Sequence, residues 1–184
     1  TKVYHCAALV SYQKKDAKSL FKVNVEGTAN IVNLCLEKNI RLLHVSSIAA
    51  LGSNKDNLPV SEKDHWEHSP STSNYSLSKY QAEMEVWRGI TEGLDAVIVN
   101  PSVILGAAAK DKGSGAIFAM INKGLKFYPK GSVDIVDVED VVAFQTIQDD
   151  VRNRIRINGR PSGKGDIAVC LHRESVVRVG SVHG

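Results

Sequence analysis

The sequence has few cysteines, few aromatic residues and no long apolar run. Its three cysteines, Cys6, Cys35 and Cys170, lie far apart and never form a C-x-x-C pair, which argues against a disulfide scaffold and against a zinc module. No stretch approaches about 18 consecutive apolar residues, so the sequence predicts no membrane-spanning helix. A basic start followed by an apolar segment, the mark of a secretory signal, is also missing. These absences favour a reducing cytoplasm.

The composition that remains is typical of a globular protein, with 43% hydrophobic and 23% charged residues. The charge is uneven, because residues 1–150 carry 16 basic and 18 acidic side chains whereas residues 151–184 carry seven and two. A basic tail can indicate nucleic-acid binding. This tail contains no aromatic residue on which a base could stack, so we predict no nucleic-acid partner.

Short apolar runs alternate with longer helical patterns along the chain, which is typical of a parallel sheet covered by helices. We predict strands at 3–6 (within an apolar run at 3–9), 41–45, 96–99 and 133–138, and helices at 23–37, 75–88, 116–123 and 140–147. Asn39 is the predicted end of the first helix and Gly93 of the second. The polar segment 52–74 is long for an ordinary connection, which indicates a functional or flexible loop.

Tyr75 and Lys79 are the sharpest candidates for chemistry. Four residues apart on a helix, they share one face. A lysine ammonium beside a phenol favours the phenolate, so we expect Lys79 to lower the pKa of Tyr75 and make it usable as an acid or base. By itself the spacing is also common among surface pairs, so the pair gains weight only from its context.

That context is a set of small polar residues at predicted strand ends. Ser46 and Ser47 follow the strand at 41–45, and Asn100-Pro101-Ser102 follows the strand at 96–99. The carboxyl ends of parallel strands meet at one edge, where ligands of open α/β sheets bind. Taken singly, the serines read equally as a turn and Asn100-Pro101 as a strand terminator. Their order along the chain favours one shared site.

The chain resembles the extended short-chain dehydrogenase/reductases, within the NAD-dependent epimerase/dehydratase group and nearest its dihydroflavonol reductase-like and 3β-hydroxysteroid dehydrogenase-like branches. The resemblance covers residues 3–145. Five motifs carry it, in this order: His5-Cys6-Ala7-Ala8, Asn24-Val25-Glu26-Gly27-Thr28, Val45-Ser46-Ser47-Ile48-Ala49-Ala50-Leu51-Gly52, Tyr75-x-x-x-Lys79 and Asn100-Pro101-Ser102-Val103-Ile104-Leu105-Gly106. It implies a Rossmann-like, doubly wound parallel α/β sheet and NAD or NADP as cofactor.

The resemblance also implies a role for each matching residue. Tyr75 would be the catalytic acid or base, Lys79 would assist it and hold the nicotinamide ribose, and Ser47 would orient the substrate oxygen. The residues expected at the cofactor are Ala7, Ala8, Asn24, Tyr75, Lys79, Asn100, Pro101, Ser102 and Val103. Of these, Asn24 would act from the helix behind the site by supporting its backbone.

One expected feature is absent from the 184 residues. The Gly-rich turn that holds the dinucleotide pyrophosphate has no counterpart, because no G-x-x-G-x-x-G occurs and Gly113-Ser114-Gly115 is too short. The chain opens on Thr1, so we expect a sheet incomplete at its N-terminus, and we expect the chain alone to bind dinucleotide weakly. We predict a partial NAD(P)-binding domain at 1–145 and, at 146–184, an atypical basic tail that is either aberrant or disordered.

The function implied is an NAD(P)-dependent oxidoreductase that interconverts a carbonyl and an alcohol on a small molecule. A nucleotide-sugar epimerase or dehydratase of the same family, and a non-catalytic dinucleotide-sensing or scaffold protein, stay open as alternatives. We predict no metal: His65-x-x-His68 reads as a solvated loop or a lid over the substrate. A homodimer is left open as the assembly.

Overall fold

The computed structural model describes residues 1–52, 66, 69–70, 72–106, 115–124, 134–143 and 166–168. In this part of the chain, strands and helices alternate as the sequence predicts. The strands are β1 (Lys2–His5), β2 (Arg41–Val45), β3 (Ala96–Val99), β4 (Val103–Leu105), β5 (Ile135–Asp137) and β6 (Asp166–Ala168). The α-helices are α1 (Ala17–Leu20), α2 (Gly27–Lys38), α3 (Asn74–Thr91) and α4 (Gly115–Asn122), and residues 138–143 are also helical.

The strands form two parallel sheets. The larger has the order β1-β2-β3-β6, and the smaller pairs β4 with β5. Register places Val3 beside Leu42 and His44 beside Ile98, so the carboxyl ends of β1, β2 and β3 share one edge. The predicted parallel α/β fold is confirmed.

Several element boundaries differ slightly from the predictions. The opening strand ends at His5, although the apolar run continues to residue 9. The predicted strand at 133–138 is the shorter β5, and the predicted helix at 140–147 begins two residues earlier. The last four residues of this predicted helix lie outside the described part of the chain, as does most of the loop predicted at 52–74. Short β4 and β6 have no predicted counterpart, and the domain boundary at 145 stays a prediction.

The first helical segment begins well before the predicted residue 23. A 3-10 turn at Lys14–Asp16 leads into α1, then into a π-helical stretch, Phe21–Glu26, and on into α2 without a break. Within it the Gly27 N–H bonds the Lys22 carbonyl, five residues back. Asn39 ends α2 as predicted, at a φ of 50°, a left-handed conformation that asparagine tolerates.

α2 and α3 cover one face of the larger sheet with an apolar layer. Its buried members are Val32, Cys35, Leu42, Val86, Ile90, Leu94, Ala96 and Ile98. The two helices approach closely at Gly89, where an added Cβ would lie 2.6 Å from the Val32 Cγ1. A residue without a side chain is therefore required at this crossing. Leu43, Val97 and Val99 form a second buried cluster, and in the strands they alternate with Leu42, Ala96 and Ile98.

Candidate active site

α3 begins with a serine cap and carries Tyr75 and Lys79 one turn apart. The Ser73 side chain accepts a hydrogen bond from the Ser76 N–H at 3.0 Å, which satisfies a free amide of the first turn. Tyr75 is partly buried, whereas Lys79 is only 2% exposed. The Lys79 Nζ donates to the Val45 carbonyl at 3.0 Å, at the carboxyl end of β2. The helix thus brings Lys79 to the edge at which β2 ends.

Ser47 lies two residues beyond this point and is brought to Tyr75. It is extended and starts the 3-10 turn Ile48–Ala50, and its Oγ accepts from the Ala49 N–H at 3.2 Å. A hydroxyl that accepts one bond still has its own proton to donate. The Ser47 side chain lies close enough to Tyr75 to lower the pKa of the phenol. Ser47, Tyr75 and Lys79 therefore meet at one edge of the sheet.

The pKa of Tyr75 is opposite to the sequence-based expectation. Burial raises the pKa of Tyr75 above its ordinary value, the neighbouring Ser47 side chain lowers it, and the nearby Tyr12 raises it further. The Tyr12 and Tyr75 rings meet edge to face, with centroids 5.7 Å apart. The expected lowering by Lys79 is wrong for this arrangement, because burial dominates and the Lys79 ammonium donates to the Val45 carbonyl of β2 and is not among the groups that shift the pKa of Tyr75.

Lys79 is held among groups that carry little compensating charge. Burial lowers the pKa of Lys79 from 10.5 to about 8, against the opposing effects of Glu83 and Cys6. Burial, and then the Lys79 charge, lowers the pKa of both His5 and His44. The two histidines are therefore neutral at neutral pH, and burial raises the pKa of the Cys6 thiol.

Asn100 joins the ends of β2 and β3. Its Nδ2 donates to the Ser47 carbonyl at 3.1 Å and to Glu83 Oε2 at 2.8 Å. The Pro101 carbonyl accepts from the Ile48 N–H at 3.1 Å, which adds a second link between the two strand ends. Ser47 therefore occupies a position fixed by the end of the neighbouring strand, as the order of motifs suggests.

Asn24, in the π-helical stretch, is 1% exposed and bonded on every side by protein groups. Its Oδ1 accepts from the Leu9 N–H at 2.7 Å, and its Nδ2 donates to the Leu9 carbonyl at 3.0 Å and to the Ser78 Oγ at 2.9 Å. Both its amide nitrogen and its amide oxygen are engaged by protein groups, and its side chain is almost fully buried. Asn24 therefore ties the segment after β1, where Ala7 and Ala8 are exposed, to α3.

One buried residue in the site, Glu83, was missed by sequence reasoning. Glu83 accepts a hydrogen bond from the Ser46 Oγ at 2.7 Å. A signal for it existed, since Glu83 stands four residues after Lys79 and so shares its helix face. No pattern indicated Ser46 as its donor, or Tyr12 as a neighbour of Tyr75.

His65 and His68 lie outside the described residues. Within the described ranges, no group of three His, Cys, Asp or Glu side chains could hold a metal ion. None of the helices described there is both long and apolar enough to cross a membrane.

Comparison with known proteins decides the family. The family of NAD-binding domains described as male sterility protein matches residues 1–151. The chain belongs to the extended short-chain dehydrogenase/reductases. This extended short-chain dehydrogenase/reductase is 33% identical to a putative dihydroflavonol 4-reductase of Synechocystis sp. over 144 residues, 77% of the chain and 42% of the relative.

Solved structures agree with the family assignment. The crystal structure of gox2253 superposes with a TM-score of 0.73 at 30% identity, over 90% of this chain and 48% of that one. A UDP-N-acetylglucosamine 4-epimerase from Methanobrevibacter ruminantium M1 superposes with a TM-score of 0.69, over 91% of this chain and 54% of that one; at 19% identity it shows the shared Rossmann-like fold. The chain thus spans about half the length of these relatives.

The residues at the sheet edge fit the nicotinamide end of a dinucleotide. Asn100 Oδ1 and Ser102 Oγ are buried polar atoms without a partner in the described part of the chain. Buried polar atoms are rarely left unpaired, so a polar ligand at this edge would satisfy them. Ala7 and Ala8 are small and exposed beyond the end of β1, and Val103 begins β4 beside Ser102.

Proposed function

We propose that this chain carries the proton-transfer site of an NAD(P)-dependent oxidoreductase that interconverts a carbonyl and an alcohol on a small molecule in the cytoplasm. The observation that carries the proposal is the placement of Ser47 beside Tyr75, with buried Lys79 one helical turn from the phenol and bonded to the end of β2. A hydroxyl pair with a nearby ammonium can hold one substrate oxygen and supply its proton.

The roles follow from the protonation states. A raised pKa keeps Tyr75 protonated at neutral pH, so it can donate its proton to the carbonyl oxygen during reduction. Ser47 donates a second hydrogen bond to the same oxygen. Lys79, with a pKa of about 8, is mostly charged at neutral pH and would hold the nicotinamide ribose. The dinucleotide, when bound, supplies the hydride that reaches the carbon. Ala7, Ala8, Asn100, Pro101, Ser102 and Val103 would line it.

Reduction is favoured over epimerisation by the relatives. The putative dihydroflavonol 4-reductase shares 33% identity over 77% of this chain, whereas an ADP-L-glycero-D-manno-heptose-6-epimerase of Brachyspira hyodysenteriae shares 32% over only 42% of it. The test is NAD(P)H consumption with a panel of ketones and aldehydes, with UDP-sugars as a parallel arm. It is run on the 184-residue chain and on the longest natural polypeptide that contains it. Turnover of UDP-sugars alone would favour the epimerase alternative.

Tyr75→Phe is the decisive variant for catalysis. Because it removes the proton donor and little else, we expect kcat to fall about 10²–10⁴-fold. Dinucleotide affinity, measured by calorimetry, should stay within about a factor of three, since the lost hydroxyl acts mainly in the transition state. Tyr80→Phe is the matched control, because Tyr80 lies on the same helix and stacks on Trp66 with a centroid distance of 4.2 Å. Undiminished turnover in Tyr75→Phe would refute the assigned role.

A further inference from the structure

Glu83 is a buried carboxylate that accepts hydrogen bonds from three side chains. It is 6% exposed. Its Oε2 accepts from the Ser46 Oγ at 2.7 Å and from the Asn100 Nδ2 at 2.8 Å, and its Oε1 accepts from the Trp87 Nε1 at 3.4 Å. A carboxylate is an acceptor only, so a cluster of three donors suits it as no neutral side chain would.

These bonds connect Glu83 to Ser47 without contact between the two side chains. Ser46 follows β2, and its N–H bonds the Val99 carbonyl of β3 at 2.7 Å. Asn100, which follows β3, uses one amide nitrogen for both Glu83 and the Ser47 carbonyl. The carboxylate therefore holds the two residues that flank Ser47 in space, one before it in the chain and one on the next strand.

Glu83 is also the negative charge that faces Lys79 within the described residues. The other titratable groups that interact with Lys79 are His5 from β1, Cys6 just beyond it, and His44 from β2. Burial keeps the histidines neutral and the thiol protonated at neutral pH. In a site with little access to water, one opposite charge has a large effect on whether an ammonium stays protonated.

We propose that Glu83 is a positioning residue of the site, whose carboxylate locks the ends of β2 and β3 around Ser47 and balances the charge of Lys79. The catalytic part of this inference rests on the proposed oxidoreductase function. The charge-balancing part concerns Lys79 alone and needs no substrate. The two parts are separable by experiment, because Glu83→Gln removes the charge and keeps an oxygen that can still accept from Ser46 and Asn100, losing only the longer bond from Trp87.

The first measurement is the titration of Lys79 in the 184-residue chain, followed through its ¹³Cε chemical shift in lysine-labelled protein and assigned with Lys79→Met. In the wild type we expect a midpoint near the pKa of about 8. In Glu83→Gln we expect this midpoint to be lower. Glu85→Gln is the control, since Glu85 pairs with Arg88 at 2.9 Å on the same helix and should leave the midpoint unchanged. An unchanged midpoint in Glu83→Gln would overturn the charge-balancing role.

The second measurement is turnover by the longest natural polypeptide that contains the chain. Glu83→Ala loses both the charge and the acceptor, and we expect kcat to fall on the order of 10²-fold, as for a small displacement of a reacting group. Ser46→Ala removes one bond to Glu83 and keeps its charge, so it should lower kcat without moving the Lys79 midpoint. Should Glu83→Ala fail to fold, Ser46→Ala and Glu83→Gln still test both roles.

The outcomes separate the two proposals. If the wild type turns over substrate and every Glu83 and Ser46 variant keeps its kcat and pH profile, the positioning role of Glu83 is overturned. The proposed oxidoreductase function would then still stand. Absence of wild-type turnover on every substrate would count against the proposed function, while the Lys79 midpoint in Glu83→Gln would still decide whether Glu83 balances its charge.

Discussion

The same two helices build two contrasting layers against the sheet. Towards the carboxyl ends of the strands the layer is polar: Asn24 and Thr28 from the first helical segment meet Ser78, Lys79 and Glu83 from α3, and all five are buried. One to three turns further along, Val32 and Cys35 meet Val86 and Ile90, and the layer is apolar. Apolar packing is therefore concentrated at one end of each helix and buried hydrogen bonding at the other.

The contrast teaches how a buried site is supported. A polar group removed from water is tolerated only when its hydrogen bonds are made. The polar layer meets this demand through Asn24, Thr28 and Glu83, each bonded to a different element. In the apolar layer no such partners are needed, and packing alone decides the cost of a change. The two layers should thus respond differently to substitution.

The largest effect is expected for Glu83→Ala. It leaves the Ser46, Asn100 and Trp87 donors unpaired and Lys79 without its counter-charge. Leaving a buried donor without its acceptor costs about 1–3 kcal/mol of unfolding free energy for each group. Urea unfolding at neutral pH measures it, with Glu85→Ala as the surface control. A loss no larger than the control's would mean that the polar layer is not held by Glu83.

A loss of unfolding free energy of similar size, caused by packing alone, is expected for Leu42→Ala in the apolar layer. Leu42 is 0% exposed, and a cavity at such a position costs about 2–5 kcal/mol. The Lys79 midpoint should stay near its wild-type value, because no polar contact changes. If the midpoint moves, the two layers are coupled and the contrast drawn between them is wrong.

The next largest difference between the two layers is expected in how the unfolding free energy depends on pH. Lys79 binds a proton with a pKa of 10.5 in the unfolded chain but of about 8 in the folded one. Between these values the unfolded state holds more protons, so stability rises with pH. At 1.36 kcal/mol per pKa unit, the wild type should gain about 3 kcal/mol from pH 8 to 10.5.

Lys79→Met should lack this gain, and the difference between the two proteins isolates it from the titration of Tyr75 and Cys6. Parallel pH profiles for wild type and Lys79→Met would show that Lys79 is charged in both states.

Gly89→Ala should give the smallest loss. The added Cβ meets Val32 Cγ1 at 2.6 Å, and overpacking of this kind costs about 1–3 kcal/mol. Val32→Ala in the same chain should recover part of it by making room. Thermal unfolding of the two single variants and the double variant measures the coupling; strictly additive losses would contradict the close approach of α2 and α3.

Sequence reasoning located the strands that bear the site and missed the forces within it. β2 and β3 were predicted to the residue because each is a short run rich in Leu, Val or Ile that ends at a pair of turn-forming residues, Ser46-Ser47 or Asn100-Pro101. The start of the first helical segment was missed because Lys14, Lys15 and Lys18 hide its periodicity. Three-residue strands such as β4 and β6 are too short to show any period.

The error on Tyr75 has a different cause. A spacing of four residues shows that Lys79 can face Tyr75, but it shows neither how deeply the phenol is buried nor which acceptor the ammonium finds. Both depend on β2 and on residues distant in the chain, such as Tyr12. For the same reason Glu83 could be placed on the right helix face and still not be recognised as the acceptor for Ser46 and Asn100.

The π-helical stretch Phe21–Glu26 makes this part of the chain intolerant of insertions and deletions. Loss of one residue, for example exposed Val23, would leave a regular helix, which is locally harmless. It would also turn everything before the gap by about 100° relative to α2, since an α-helix has 3.6 residues per turn. Bonds that span the gap, such as those between the Asn24 side chain and the Leu9 backbone at 2.7 and 3.0 Å, would lose their register. Length in this segment is therefore as constrained as residue identity.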